Sequence, residues 1–242
     1  MEDNKPQRIR RTRNELKTAM LDAVMQLAKE KELSLITMVD VGERSGIRVD
    51  VLARNFTNME KILSIYAASV DYWISDLFHG RHPADHTGED DMKEMFDNLV
   101  TSLYNDPDMQ RLLVWEITED NPTTRRMATN REQIYKDVIN GYNHLFKESG
   151  LHIDILSAIL TAGIYYLILR RKRSTFWGVD FSKRPERKRF VEAVDQFVTL
   201  VFDALRQRNR IMEIARNFKR KGITNDVIAE CTGLDVDVVK EL

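Results

Sequence analysis

The segment Asp40 to Phe56, DVGERSGIRVDVLARNF, limits the fold more than any other stretch of this chain. Its apolar residues recur at helical spacing on both sides of a glycine, which reads as a short helix, a turn and a second short helix. Val41 and Ile47 take the inward positions of the two helices. Leu52 falls on the buried side of the second, at helical spacing from Val49 and Phe56. Gly46 sits at the turn, where glycine accepts a positive φ without steric cost. Thr37 precedes the first helix with Asp40 three residues on, a capping box with Asp in place of Glu.

The same periodicity runs through the rest of the chain. A first helix is expected over about 13–31, with Leu16, Ala19, Met20, Ala23, Val24 and Leu27 on its core face. Asn58 caps a helix running to about Phe78. Further helices are expected over about 90–105, 107–118, 122–148, 153–172, 184–220, 224–232 and 235–242. Asp120-Asn121-Pro122 reads as a helix end and cap. Strand-like alternation is absent, so the expected class is all-α. The expected organisation is a basic arm (1–12), a helix-turn-helix domain with its connecting helix (13–78), a larger helical bundle (79–210) and a C-terminal helical hairpin (211–242). The polar stretch 79–90, broken by Gly80, Pro83 and Gly88, marks the linker.

A chain of 242 residues can bury a substantial core. Its formal net charge of −1 provides no global attraction to nucleic acid, so any such binding must come from local clustering. Lys5, Arg8, Arg10, Arg11, Arg13 and Lys17 form one cluster, opposed only by Glu15. Cys231 is the single cysteine, which excludes an intrachain disulfide and suits a reducing cytoplasm. The start lacks the apolar core of a signal peptide. The most apolar run, Ile155 to Leu169, falls short of the ~20 residues a membrane span needs and contains Ser157 and Thr161, so a buried helix is expected there.

Residues 13–78 resemble the N-terminal domain of the TetR family of transcriptional regulators. The resemblance rests on Thr37, Asp40-Val41-Gly42, Gly46-Ile47, Leu52, Phe56, Asn58 and Glu60, whose order and spacing hold without a gap. The chain departs from the family pattern in several places. Ala53 stands where the family has Tyr, Met59 where it has Lys, and Val51 where it has Thr. Asp50 replaces a small residue, and Arg48 replaces the Ser that caps the second helix.

The resemblance implies a homodimeric repressor that binds a palindromic double-stranded operator and is released by a small-molecule effector. The expected DNA-contacting residues are Arg13, Thr37, Arg48, Val49, Asp50, Arg54 and Asn55. Arg can pair bidentately with guanine and Asn with adenine, while Asp accepts from cytosine. Trp73, Phe96, Tyr104, Trp115, Tyr135 and Tyr165 are the candidates for lining an effector cavity. Leu156, Ala162, Gly163, Leu167, Phe190, Val194, Phe197 and Val201 are the candidates for a two-fold interface, where small residues admit a second helix and bulky ones fill it. The alternative is an interaction or scaffold protein that kept this fold and lost operator binding, which the departures at Asp50, Ala53 and Met59 motivate.

No cofactor or resident metal is expected. His79, His82, Asp85 and His86 cluster, but a Gly- and Pro-rich loop holds ligand geometry poorly, and a polar linker is the better reading. No nucleophile elbow, phosphate loop or zinc-protease motif is present, so an enzyme is not expected. Finally, 227–242 echoes the first helix-turn-helix. Ile228 matches Val41, Gly233 matches Gly46, Leu234 matches Ile47, and Val-Asp-Val recurs at 236–238 and 49–51. The echo also resembles the short C-terminal hairpin of some transposase-nuclease proteins, and implies no nuclease. Asp235, Asp237 and Glu241 repel phosphate, so a hairpin packed on its own or a partner chain is expected rather than a second DNA reader.

Overall fold

Thr12 opens the first helix by a reciprocal cap. Its hydroxyl accepts from the Glu15 amide at 3.3 Å, and the Glu15 carboxylate accepts from the Thr12 amide at 2.6 Å. In the computed structural model, which describes residues 11–71 and 87–242, helix α1 follows over Arg13–Leu27. It buries Met20, Ala23, Val24 and Leu27, spaced to share one face. It is shorter than the expected 13–31. Lys29-Glu30-Lys31-Glu32 has no apolar side to bury, and the chain turns there to bring Leu33 and Ile36 inward.

Ten more α-helices follow among the described residues: α2 Met38–Ser45, α3 Val49–Phe56, α4 Met59–Val70, α5 Glu89–Asn105, α6 Pro107–Thr118, α7 Pro122–Leu145, α8 Ile153–Arg170, α9 Arg184–Arg220, α10 Asn225–Thr232 and α11 Val236–Glu241. The described residues contain no strand, and the all-α expectation holds. Trp73, the histidine cluster at 79–86, Lys5, Arg8 and Arg10 lie outside the described residues. The described part divides into two compact units, one of 11–71 with Ser102–Gln133, the other of 87–101 with Ile134–Leu242.

In the first unit α1 packs on α2 and α4, and α4 packs on α6. Val41, Leu52, Ile62, Tyr66, Leu112 and Met109 are almost wholly buried. Arg131 is also buried, and it is satisfied on two sides. Its guanidinium donates to Asp71 at 3.2 Å and to both carboxylate oxygens of Glu116. One buried cation thus joins the C-terminal cap of α4 to α6 and α7. Burial pushes the Glu116 carboxyl up, while Arg131 holds it down. Asn121 caps α7 as expected, its side-chain oxygen accepting from the Thr123 and Thr124 amides at 3.0 and 3.1 Å.

In the second unit Phe202 of α9 meets Phe146 edge-on at 5.2 Å and Tyr142 at 6.4 Å. Glu89 joins α5 to α9, accepting from Lys93 at 2.7 Å, Thr199 at 3.0 Å and Arg206 at 2.6 Å. Lys93 foremost, then Arg206, hold its carboxyl down to about 2. Two turns further along α5, Asp97 lacks such donors. One oxygen each of Asp97 and Asp195 is buried without a hydrogen-bond partner among the described residues. Burial, then Asp195, push Asp97 up to about 6.

Helix α8 departs from expectation. Only Ile153, Ile164 and Ile168 of its 18 residues are buried, although its mean hydropathy of 1.6 makes it long and apolar enough to cross a membrane. It is not the buried helix the sequence implied. Helix α9 runs 37 residues without a break, and its end forms a separate small core with α10 and α11. Met212, Ala215, Ile228, Leu234 and Val239 fill that core.

Candidate nucleic-acid interface

The helix-turn-helix is fixed by its own side chains. The Thr37 hydroxyl accepts from the Asp40 amide at 3.2 Å, and the Asp40 carboxylate accepts from the Thr37 amide at 2.7 Å, which completes the expected capping box. Lys31 approaches the same carboxylate to 2.6 Å. Lys31, then Thr37, hold the Asp40 carboxyl far below the usual carboxylate range. At the other end of α2 the Ser45 hydroxyl donates to Val41 O at 2.6 Å and accepts from the Ile47 amide at 3.3 Å. Gly46 has φ 64°, so the left-handed turn is real.

Gly42 sets how closely α2 and α3 approach. A Cβ there would stand 2.9 Å from Ile47 O and 3.2 Å from Val49 Cγ2. Leu52 and Phe56 then seat α3 on the unit's core. Arg48, Asp50 and Arg54 are exposed, as are Ala53, Arg13 and Thr37. Val49 is 40% exposed.

Three of these side chains are tied to one another. Arg48, the N-cap residue, donates Nε to Asp50 Oδ1 at 2.8 Å and Nη2 to Oδ2 at 2.9 Å. Arg54, one turn on, donates Nη2 to Oδ2 at 2.9 Å and Nε to Asp50 O at 3.1 Å. Asp50 therefore clasps both arginines of the second helix, and Arg48 foremost lowers its carboxyl. Asn55 is half-buried, and its amide already donates to Val51 O at 2.8 Å.

Two contacts of this region join residues far apart in sequence. Arg11 Nη1 donates to Ser45 O at 3.2 Å, which pins the base of the basic arm to the end of α2. Arg44 forms a fork onto Glu30 at 2.9 and 2.7 Å, removing one cation from the outward set. Spacing of 34 and 14 residues between partners hides both from a linear reading.

The effector candidates do not fall into one unit. Tyr104 and Trp115 belong to the first, Phe96, Tyr135 and Tyr165 to the second. Phe96 is 1% exposed and Trp115 6%, the latter with its indole N–H on Glu119 at 2.9 Å. Two open clefts of about 320 Å³ lie in the first unit, one lined by α1 with Ser69, Val70, Asp106 and Asp108, the other by 116–120 with Thr124, Arg125 and Ala128. None of the aromatic candidates lines either.

Of the interface candidates, Ala162 is exposed, and Leu156, Gly163, Leu167, Phe190 and Phe197 are half-buried. Val194 and Val201 face the chain's own core. The most exposed large apolar side chains on α8 and α9 themselves are Ile155, Ile159, Tyr166 and Leu200, at 56, 61, 53 and 67%.

The C-terminal hairpin repeats the first motif in backbone geometry. Gly233 has φ 68° and ψ 13°, against 64° and 25° at Gly46. Asp235 takes φ −61° and ψ 140°, against −60° and 142° at Arg48. The Thr232 hydroxyl donates to Ile228 O at 2.6 Å, as Ser45 does to Val41 O. Charge is reversed: Asp235 and Glu241 stand at the positions of Arg48 and Arg54. The hairpin packs on its own α9, as expected.

No protein-family model matches the chain, and no curated protein matches it. Among solved structures it is similar to the crystal structure of AlkX, a TetR family repressor from Dietzia sp. strain DQ12-45-1b implicated in biodegradation of n-alkanes, at 16% identity, over 76% of this chain and 95% of that one, with a TM-score of 0.37.

Proposed function

We propose that this chain is a sequence-specific DNA-binding transcriptional regulator, acting as a homodimeric repressor released by a small-molecule effector. The observation that carries the reading is the helix-turn-helix, whose second helix turns Leu52 and Phe56 inward and Arg48, Asp50 and Arg54 outward. A helix of that size presents its N-terminal residues to base edges in the major groove. Lys61, in the first turn of α4, is exposed and adds a cation beside a helix N-terminus, suited to a phosphate contact. The exposed apolar side chains of α8 and Leu200 of α9 support a two-fold interface between copies, since so much uncovered apolar surface favours association. A closed dimer would match half-sites about one helical turn apart.

The clasp at Asp50 supports the second reading, an interaction protein without an operator, because one carboxylate engages both Arg48 and Arg54 and cancels one of their two charges. Fluorescence anisotropy separates the two. The full chain is titrated onto the DNA upstream of its own gene and onto a scrambled duplex, across a salt series. A regulator binds the first preferentially, with affinity falling steeply as salt rises, and Arg48→Ala weakens that preference. Equal, weak binding to both duplexes, unchanged by Arg48→Ala, would remove the recognition role of α3 at that site.

A further inference from the structure

The turn between α8 and α9 has a composition unlike the rest of the molecule. From 170 to 189 the chain carries nine Lys and Arg against only Asp180 and Glu186. Both anions are occupied, Asp180 by Ser182 and Lys183, and Glu186 by Arg189. Lys172, Arg173 and Arg184 are exposed and form no ion pair among the described residues. The local field is therefore strongly positive on a chain whose net charge is −1.

A rigid tip projects from this positive base. Phe176 and Val179 exchange backbone hydrogen bonds at 2.9 and 3.0 Å, closing a two-residue hairpin. Trp177 and Gly178 form its turn with φ 50° and 77°, positive at both positions. Beneath it, Arg170 lies over the rings of Phe176 and Tyr166, at 4.8 and 5.3 Å, and donates to Ser174 at 2.8 Å. These contacts hold the hairpin while leaving Trp177 at the apex, 92% exposed.

We propose that this tip is a docking site for an anionic membrane surface. A large indole with nothing to cover it stands at a convex apex, with cations set back along both flanking helix ends. A planar bilayer fits that shape, because tryptophan is favoured at the interface while lysine and arginine meet acidic headgroups. Duplex DNA fits it less well, since its bases are stacked and offer the indole no face. Single strands are held in grooves lined with aromatics, and this tip is a protrusion with one exposed ring.

The test uses the full chain and vesicles of phosphatidylcholine alone or with roughly one third phosphatidylglycerol. Sedimentation with vesicles and tryptophan emission are read in parallel. Binding to the anionic vesicles only, weakened by salt and accompanied by a blue shift, is the expected result. Trp177→Ala should remove the blue shift and weaken binding about tenfold. Lys172→Gln and Arg173→Gln should weaken it about fivefold each. All three positions are exposed, and unchanged thermal melts would establish that the fold survives. The proposal is overturned by absent binding, by equal binding to neutral vesicles, or by binding that the three substitutions leave unchanged. It is equally overturned if a single-stranded oligonucleotide, and not the vesicles, is bound through these residues.

Discussion

At the scale of single residues, Asp50 governs what α3 can present. It stands within 2.9 Å of both Arg48 and Arg54, so each arginine must leave an internal partner before it meets a base or a phosphate. All three are exposed, so the clasp is a weak restraint that screening loosens further. Asp50→Asn should raise affinity for any duplex and steepen its salt dependence, as two cations are released. Should affinity for one duplex fall while others rise, Asp50 itself reads a base. Asp97 makes a second prediction. Its carboxyl titrates near about 6, above an ordinary 3.8, so the folded state holds that proton more tightly than the unfolded state. Stability therefore falls as pH rises from about 4 through 6, and the penalty is complete above that. Asp97→Asn should raise the melting temperature at pH near 8 and give no gain near 4. An equal gain at both would show that charge at Asp97 is not the cause. Charge identity was legible in the sequence at Asp50, but its pairing was not. Helical phase identifies outward residues but says nothing of bonds made along the same face.

At the scale of elements, local signals carried most of the reading. Thr37 with Asp40, Gly46 with Ile47, and Asn58 each fix a boundary through a hydrogen bond within a few residues, so sequence spacing locates them. The first helix ends four residues before its periodicity suggests: charged Lys29 to Glu32 do not resist helix formation, and the tertiary need to bury Leu33 ends it. Gly42 carried no such signal, since the helix alone accepts any residue there and only the approach of α3 forbids a Cβ. Gly42→Ala should cost about 1–3 kcal/mol of stability by forcing Ile47 and Val49 outward. It should also weaken DNA binding although it touches no outward residue. Denaturant unfolding beside anisotropy would check both; an unaltered midpoint would mean that α2 and α3 separate without cost. The buried link of Arg131 to Asp71 and Glu116 was equally hidden, because its partners lie 60 and 15 residues away.

At the scale of the whole chain, the incomplete burial of α8 is the strongest constraint. Apolar periodicity revealed its existence and length, but not that 17% of it would be covered by its own chain. Covering is a tertiary property, and a second copy provides it in the reading proposed above. Ile159→Glu with Leu200→Glu should convert a dimer into monomers, since each places a charge on a face that must become dry. Sedimentation equilibrium decides it: an unchanged mass would move the interface elsewhere or leave the protein monomeric throughout. The last long helix has a mechanical consequence. From Leu205 it continues about 22 Å to Arg220 with no glycine or proline to bend it, held to the segment after α7 by the exposed ion pair of Arg216 with Glu148 at 2.7 Å. A tilt of about 5° at Leu205 would thus sweep its far end through about 2 Å. The hairpin mounted there holds the chain's single cysteine, Cys231, exposed to solvent. The fold so provides a pointer with one attachable thiol at its end, and a label on that thiol would turn small rotations of the core into readable displacements.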